Sequence, residues 1–245
     1  MSMAVTVKNL TFCYPGREKP VLDGISFSVR EGESVGIVGL SGCGKSTLGL
    51  ILCGAIPKRV PGYIKGEVYI FGKPAEQYDL PRIGSTAGIV LQNADWQLFT
   101  NRVEDEVAFA LENLCIEPEE IRKRVARVLE QTGIRHLADR SPRGLSGGEK
   151  HLVALASAMS MEPSIIILDE VMSGLDAKSC RCVGSLMKKW KREGKTIIAI
   201  DHQVERLESM ERLFLMKEGG MFETGAEEIE AYYGELIKIF LSGGK

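Results

Sequence analysis

Eight residues, "GLSGCGKS" from Gly39 to Ser46, have the spacing G-x-x-x-x-G-K-[ST] and follow an apolar run, "ESVGIV". A helix-forming pattern begins directly after them. A glycine-rich loop between a strand and a helix can close its backbone N–H groups around a polyphosphate. Gly39, Ser41, Gly42, Cys43, Gly44 and Thr47 would build that cradle, Lys45 would reach the β- and γ-phosphates, and the Ser46 hydroxyl would ligate Mg²⁺. This chemistry is shared by kinases, GTPases and transport ATPases, so the choice among them rests on later residues.

The next such residues are Asp169 and Glu170, at the end of "IIILDE". Four apolar residues, Ile165 to Leu168, predict a buried strand that delivers Asp169 at its carboxyl end, where it can hold Mg²⁺ beside the phosphates. Glu170 then stands where a carboxylate can polarise an attacking water.

Positioning these groups takes a body of ordinary globular composition. The chain has 245 residues, 44% of them apolar, enough for a sizeable core, and a net charge of -2. With a pI near 6.0 there is no overall pull toward nucleic acid or an anionic membrane. No apolar stretch approaches the roughly 20 residues of a membrane span, and "MSMAVTVKNLTF" lacks the regions of a signal peptide, so a soluble cytosolic chain is expected. The six cysteines have no paired C-x-x-C spacing and read as reduced thiols. Cys180 and Cys182 form a lone C-x-C in a helical pattern, too few ligands for a metal clip.

Alternating apolar stretches over "AVTVKNLTFCYP" and "VLDGISFSVREGESVGIVGL" predict a β-rich entry to the phosphate loop. Helical spacing in "KSTLGLILCGAIP" is expected to run to Pro57. "GEVYIFGKP" reads as a hairpin strand, and "STAGIVLQ" as a buried strand ending near Gln92. From about Val103 to Gly133 the period becomes helical, which predicts a helical subdomain inserted into an α/β body. Helix and strand then alternate again, and residues 226 to 241 read as an acidic and apolar C-terminal helix.

"LSGGEK", Leu145 to Lys150, a little over twenty residues before "LDE", resembles the signature motif of ABC-type ATPases. The family's other elements match in order: Tyr14 as the aromatic stacked on adenine, Gln92 as the Q-loop glutamine, "SGLD" through Asp176 as the D-loop, and His202 as the switch histidine. The resemblance covers nearly the whole chain. It implies an α/β fold with a phosphate-loop (RecA-like) core, an N-terminal antiparallel β subdomain and an inserted helical signature subdomain. The expected division is one ATPase domain over 1–245, with a core and β subdomain in 1–92 and 163–225, a helical subdomain in 93–162 and a C-terminal helix in 226–245. It further implies ATP and Mg²⁺ as ligands, the metal held by Ser46, Gln92 and Asp169. Two nucleotides would be sandwiched between two ATPase subunits, identical or related. Leu145, Ser146, Gly147, Gly148 and Glu149 of one chain would face the γ-phosphate held by the other. Glu170 would act as base, His202 would contact the γ-phosphate, and Gln92 would sense Mg²⁺ and an attached membrane partner. Glu149 departs from the commoner glutamine and Gln203 from a frequent aspartate; the added charge of Glu149 is expected to alter γ-phosphate affinity modestly.

The segment "NADWQLFTNRVEDEVAFALENL" and the opening "FCYPGREKPVLDGISFSV" are similar to ATPases of energy-coupling factor importers for vitamins, cobalt or nickel. That likeness implies an integral membrane coupling subunit docked near Gln92, a small membrane substrate-binding subunit, no nucleic-acid partner, and a peripheral place on the cytoplasmic face of the membrane. Trp96, Leu98 and Phe99 would line the docking groove or pack in the subdomain core. Other readings are an ATPase of another type of ABC transporter and a soluble ABC ATPase of translation or DNA repair. The paired cassettes and long heptad coiled coils usual in the soluble types are missing from this sequence. A regulatory module without catalysis would be favoured by loss of Lys45, Glu170 or His202, and all three are present.

Overall fold

The computed structural model of the protein describes residues 2–242, with side chains to residue 234. Two sheets share the chain. The first is antiparallel, in the order β2 (Leu22–Arg30), β1 (Met3–Cys13), β4 (Tyr63–Ile70), β5 (Lys73–Pro74). β1 and β4 shift register between Lys8 and Thr11, where Asn9 takes φ 48° and Gly66 takes φ 97°. A Cβ at position 66 would lie 2.3 Å from the Asn9 carbonyl oxygen. Gly66→Ala is therefore expected to lower stability by about 2–3 kcal/mol, read from the denaturant midpoint; an unchanged midpoint would mean the bulge relaxes freely.

The second sheet has six strands in the order β10 (Gly220–Thr224), β9 (Arg212–Lys217), β3 (Ser34–Gly39), β8 (Thr196–Asp201), β7 (Ile165–Asp169), β6 (Ala87–Val90). All neighbours are parallel except the edge strand β10. β3, β7 and β8 are buried along their whole length, which is why their sequences are continuous apolar runs rather than alternating ones. Helix α1 (Lys45–Leu52) packs against β3, β6 and β7; one core lies between this layer and the antiparallel sheet, with Phe12, Leu22, Ile37, Leu48 and Phe214.

The helix of "KSTLGLILCGAIP" ends earlier than its spacing predicts. Gly54 takes φ 75° and closes α1 at Leu52, and only a short turn, α2 (Ala55–Lys58), follows. Ser85 and Thr86 of "STAGIVLQ" finish a helix, α3 (Leu80–Thr86), so β6 is confined to four residues and Gln92 sits in the loop beyond it.

On the other side of the sheet are α4 (Val103–Asn113), α5 (Pro118–Gln131), α6 (Gly147–Ser160) and α7 (Ala177–Arg192). Their apolar stripes meet β6, β7 and β8 in a second core that includes Val107, Leu111, Leu155 and Trp190. α8 (Ala226–Ser242) places Ile229 in that core. Residues 243–245 of the expected C-terminal helix lie outside the described residues.

Arg212 joins the two sheets. Its guanidinium donates to the Ser28 carbonyl at 3.0 Å and forks onto Glu223 with two contacts of 2.7 Å, while Glu33 lies 3.3 Å away. The forked carboxylate raises the Arg212 pKa, and the same pairing lowers that of Glu223.

Candidate functional site

Four adjacent strands, β3, β8, β7 and β6, end on the same edge of the parallel sheet. Each contributes to one cluster: the phosphate loop after β3, Asp201 at the end of β8 with His202 next, Asp169 at the end of β7 with Glu170 next, and Gln92 after β6. Crevices beyond the carboxyl ends of parallel strands are where such sheets bind ligands.

Gly44 caps α1 at φ 108°, and a Cβ there would meet the Val21 carbonyl oxygen at 2.9 Å. Only glycine fits both the conformation and the space. The first-turn N–H groups of α1 have no intrahelical acceptor and face the loop end, a ready anion site. Lys45 is 4% exposed; its Nζ donates to the carbonyl oxygens of Gly39 at 2.8 Å and Leu40 at 3.1 Å and lies 3.6 Å from Glu170 Oε1.

Glu170 is also buried and holds the left-handed conformation at φ 51°. Its Oε2 accepts from Gln92 Nε2 at 2.9 Å and lies 3.2 Å from His202 Nδ1. One carboxylate thus gathers the phosphate-loop lysine, the glutamine and the histidine. Asp201, beneath His202, accepts from the backbone N–H groups of His202 and Gln203 at 2.8 and 3.0 Å and fixes that turn.

Asp169 is 1% exposed, and its Oδ1 has no hydrogen-bond partner. Burial pushes its carboxyl above the usual range; the Ser46 hydroxyl beside it opposes this, and the nearby Glu170 charge reinforces it. A buried orphan oxygen next to a hydroxyl at a phosphate loop suits Mg²⁺, which uses one or two protein oxygens and takes the rest from phosphate and water. No cage of three or more His, Cys, Asp or Glu side chains forms among the described residues.

Tyr14 lines a cleft of about 210 Å³ together with Ser41, Lys45, Ser46, Gln92 and Glu170. Its hydroxyl lies 3.1 Å from Thr47 Oγ1, and its ring meets Phe12 edge-on. Arg17 lines the same cleft. Its mark in the sequence is slight, a cation three residues past a candidate adenine platform.

The "LSGGE" residues form a separate group. Ser146 caps α6, Leu145 is buried, and Gly147 and Gly148 open the helix. Glu149 Oε2 accepts from the Ser146 N–H and from its hydroxyl, both at 2.8 Å, while Ser146 Oγ accepts from the Glu149 N–H at 3.3 Å. This capping box was legible as S-x-x-E, and the Ser146 backbone N–H is the main cause holding the Glu149 carboxyl below its usual range. Asp176 caps α7 by accepting from the Ser179 N–H at 2.7 Å and stands outside the Glu170 cluster. Trp96 and Phe99 are 79% and 59% exposed, whereas Leu98 packs against the helical core.

Residues 22–173 match the family model described as ABC transporter. The chain is 44% identical over 203 residues to the putative HMP/thiamine import ATP-binding protein YkoD of Bacillus subtilis, covering 82% of this chain and 37% of that one. It is 39% identical over 225 residues to the energy-coupling factor transporter ATP-binding protein EcfA of Methanosarcina acetivorans, covering 91% and 80%. The chain spans 37% to 41% of the length of several relatives, YkoD included. Among solved structures, cbiO1 from Clostridium perfringens, part of the ABC transporter complex cbiONQ, superposes with TM-score 0.79 at 32% identity over 98% of this chain and 96% of that one. The dimeric ATP-binding cassette MJ0796 bound to ADP and Pi gives 0.80 at 28% identity over 90% and 97%.

Proposed function

Because the chain belongs to the ABC transporter family as an ATP-binding protein, we propose that it binds and hydrolyses ATP to power a membrane importer of the energy-coupling factor type, for a vitamin or a transition-metal ion such as cobalt or nickel. The observation that carries the ATPase reading is the convergence of Lys45, Gln92 and His202 on Glu170 at the strand ends.

In this reading Tyr14 stacks on adenine, and the N–H groups of the loop from Gly39 to Thr47 take the phosphates. Lys45 exchanges its two backbone carbonyls for phosphate oxygens. Glu170 takes a proton from the attacking water, and His202 and Gln92 leave its Oε2 to meet the γ-phosphate and its surroundings. When bound, Mg²⁺ neutralises charge on the β- and γ-phosphates, and Ser46, Asp169 and Gln92 would hold it. Before ATP arrives, Glu170 is engaged by hydrogen bonds from Gln92 and His202 and by the Lys45 charge, so its release is a condition for hydrolysis.

A second ATPase subunit supplies the opposite wall, with its signature residues facing the γ-phosphate. Here Glu149 has a direct consequence, because its charge sits on the Ser146 hydroxyl that the phosphate needs. Glu149→Gln keeps an acceptor for the cap and removes the repulsion. It is expected to tighten ATP-driven dimerisation about 2- to 5-fold, the range of a helix-terminal charge effect. Analytical ultracentrifugation with ATP reads this directly, and weaker dimerisation of the variant would reject it.

Exposed Trp96 and Phe99, beside the loop of Gln92, suit a membrane coupling subunit, with a small membrane protein recognising the solute. No helix among the described residues is long and apolar enough to cross a membrane. Capture of the tagged chain from detergent-solubilised membranes, with mass spectrometry, tests the transport reading. A multi-span protein and a small membrane substrate-binder are expected; ribosomes or repair factors would overturn it.

A further inference from the structure

His151 lies one turn into α6 and is 8% exposed, yet it takes no part in the phosphate chemistry described above. Its Nδ1 is 2.9 Å from the Gly147 carbonyl oxygen on its own helix, and its Nε2 is 2.9 Å from the carbonyl oxygen of Gln92. Both oxygens can only accept, so the ring donates: through one nitrogen as a neutral tautomer, of which the Nε2–H form bonds the Gln92 carbonyl, and through both only as an imidazolium. Its edge also packs against the turn after Glu170: a Cβ at Gly174 would come within 3.2 Å of His151 Cε1. Next to it, Lys150 Nζ lies 2.7 Å from Asp95 Oδ1, a second and more exposed link between α6 and the same loop.

These contacts run in series. Gly147, in the signature segment, is joined through His151 to the backbone of Gln92, whose side chain donates to Glu170. We infer that His151 is a positioning residue that couples the signature helix to the Gln92 loop, so that the two move as one body and Gln92 is presented to Glu170 in a fixed geometry. The exposed Lys150–Asp95 pair adds little by itself, because solvent screens it. The buried ring, held between carbonyl oxygens on two of its sides, has the rigidity to set the loop's position. This deepens the ATPase reading and rests on it for its kinetic consequences.

His151→Ala is expected to lower kcat roughly 10- to 100-fold, the cost of a misplaced catalytic geometry, with KM for ATP held within about 2-fold. The effect travels through Gln92, so His151→Ala/Gln92→Ala should turn over no more slowly than Gln92→Ala alone. His151→Gln, which keeps an N–H donor of comparable reach, should recover most of the rate. Without nucleotide, amide hydrogen exchange over residues 91–97 should be faster in His151→Ala than in the native chain, while that of the phosphate loop is unchanged.

Multiplicative losses in the double variant would overturn the coupling, as would unchanged exchange over 91–97. If the native chain hydrolyses no ATP, the ATPase reading falls and the exchange experiment alone decides the inference. If His151→Ala does not fold, the same measurements on His151→Gln and His151→Asn decide it: Asn is too short to reach Gln92 and should lose the rate that Gln retains.

Discussion

Replacing Glu170 by glutamine should slow ATP turnover about 10²- to 10⁴-fold, the contribution of a positioned general base, while ATP binds at least as tightly as in the native chain. The amide keeps the shape of the side chain and can still accept from Gln92 and His202, so the cluster stays assembled. What disappears is a buried negative charge beside the phosphate loop, and with it the ion pair that competes for the Lys45 charge. Both changes favour bound ATP, and an ATP-loaded dimer should accumulate. Single-turnover hydrolysis together with sedimentation in ATP checks this. Turnover near the native rate would remove Glu170 from its assigned role, and loss of binding would mean that the carboxylate is needed to build the pocket.

Lys45→Ala should act on binding first. Removing a charge-assisted contact to phosphate is expected to weaken ATP roughly 10- to 100-fold. It should also destabilise the nucleotide-free chain by about 3 kcal/mol, because Glu170 is left buried with only the glutamine and the histidine as donors. The double variant Lys45→Ala/Glu170→Gln separates these effects: stability should return, since no unpaired charge remains, whereas affinity should not. Thermal unfolding and ATP titration of the three variants give the answer. Additive losses of stability would show that the 3.6 Å pair does not couple energetically.

The placement of Glu170 beside the phosphate loop was legible in the sequence because its parts are written locally. A glycine-rich loop after an apolar run, and two acids after four aliphatic residues, place their own side chains once the strands form. The β-rich entry and the helical insertion were likewise readable from changes of period, whereas the separate antiparallel sheet was implied by the family resemblance. Helix ends were read less well: α1 stops at Leu52 because Gly54 turns left-handed, a local backbone choice that outweighs the apolar spacing running to Pro57. Contacts between distant segments left no trace. His151 looks like one more residue on a helix face, and what it does depends on a carbonyl oxygen 59 residues earlier in the chain. Arg212 is equally silent, since its partners, at Ser28, Glu33 and Glu223, come from three other places in the sequence.

The central position of β3 sets a timetable for biosynthesis. The strand that feeds the phosphate loop is flanked by β8 and β9, so Gly32 finds the Thr196 hydroxyl 164 residues later, and the Ser34 N–H finds Glu211 after 177. At a ribosomal pace of about 5–20 residues per second, the fully apolar "VGIV" segment waits roughly 8–35 s for its neighbours, while β1, β2 and β4 can pair early. During that interval the nascent chain presents an unpaired, uncharged strand, the kind of surface that aggregates or recruits a chaperone. Newly made protein should therefore be more vulnerable to heat than mature protein, and truncations that remove β8 and β9 should be insoluble even though they retain the whole phosphate loop.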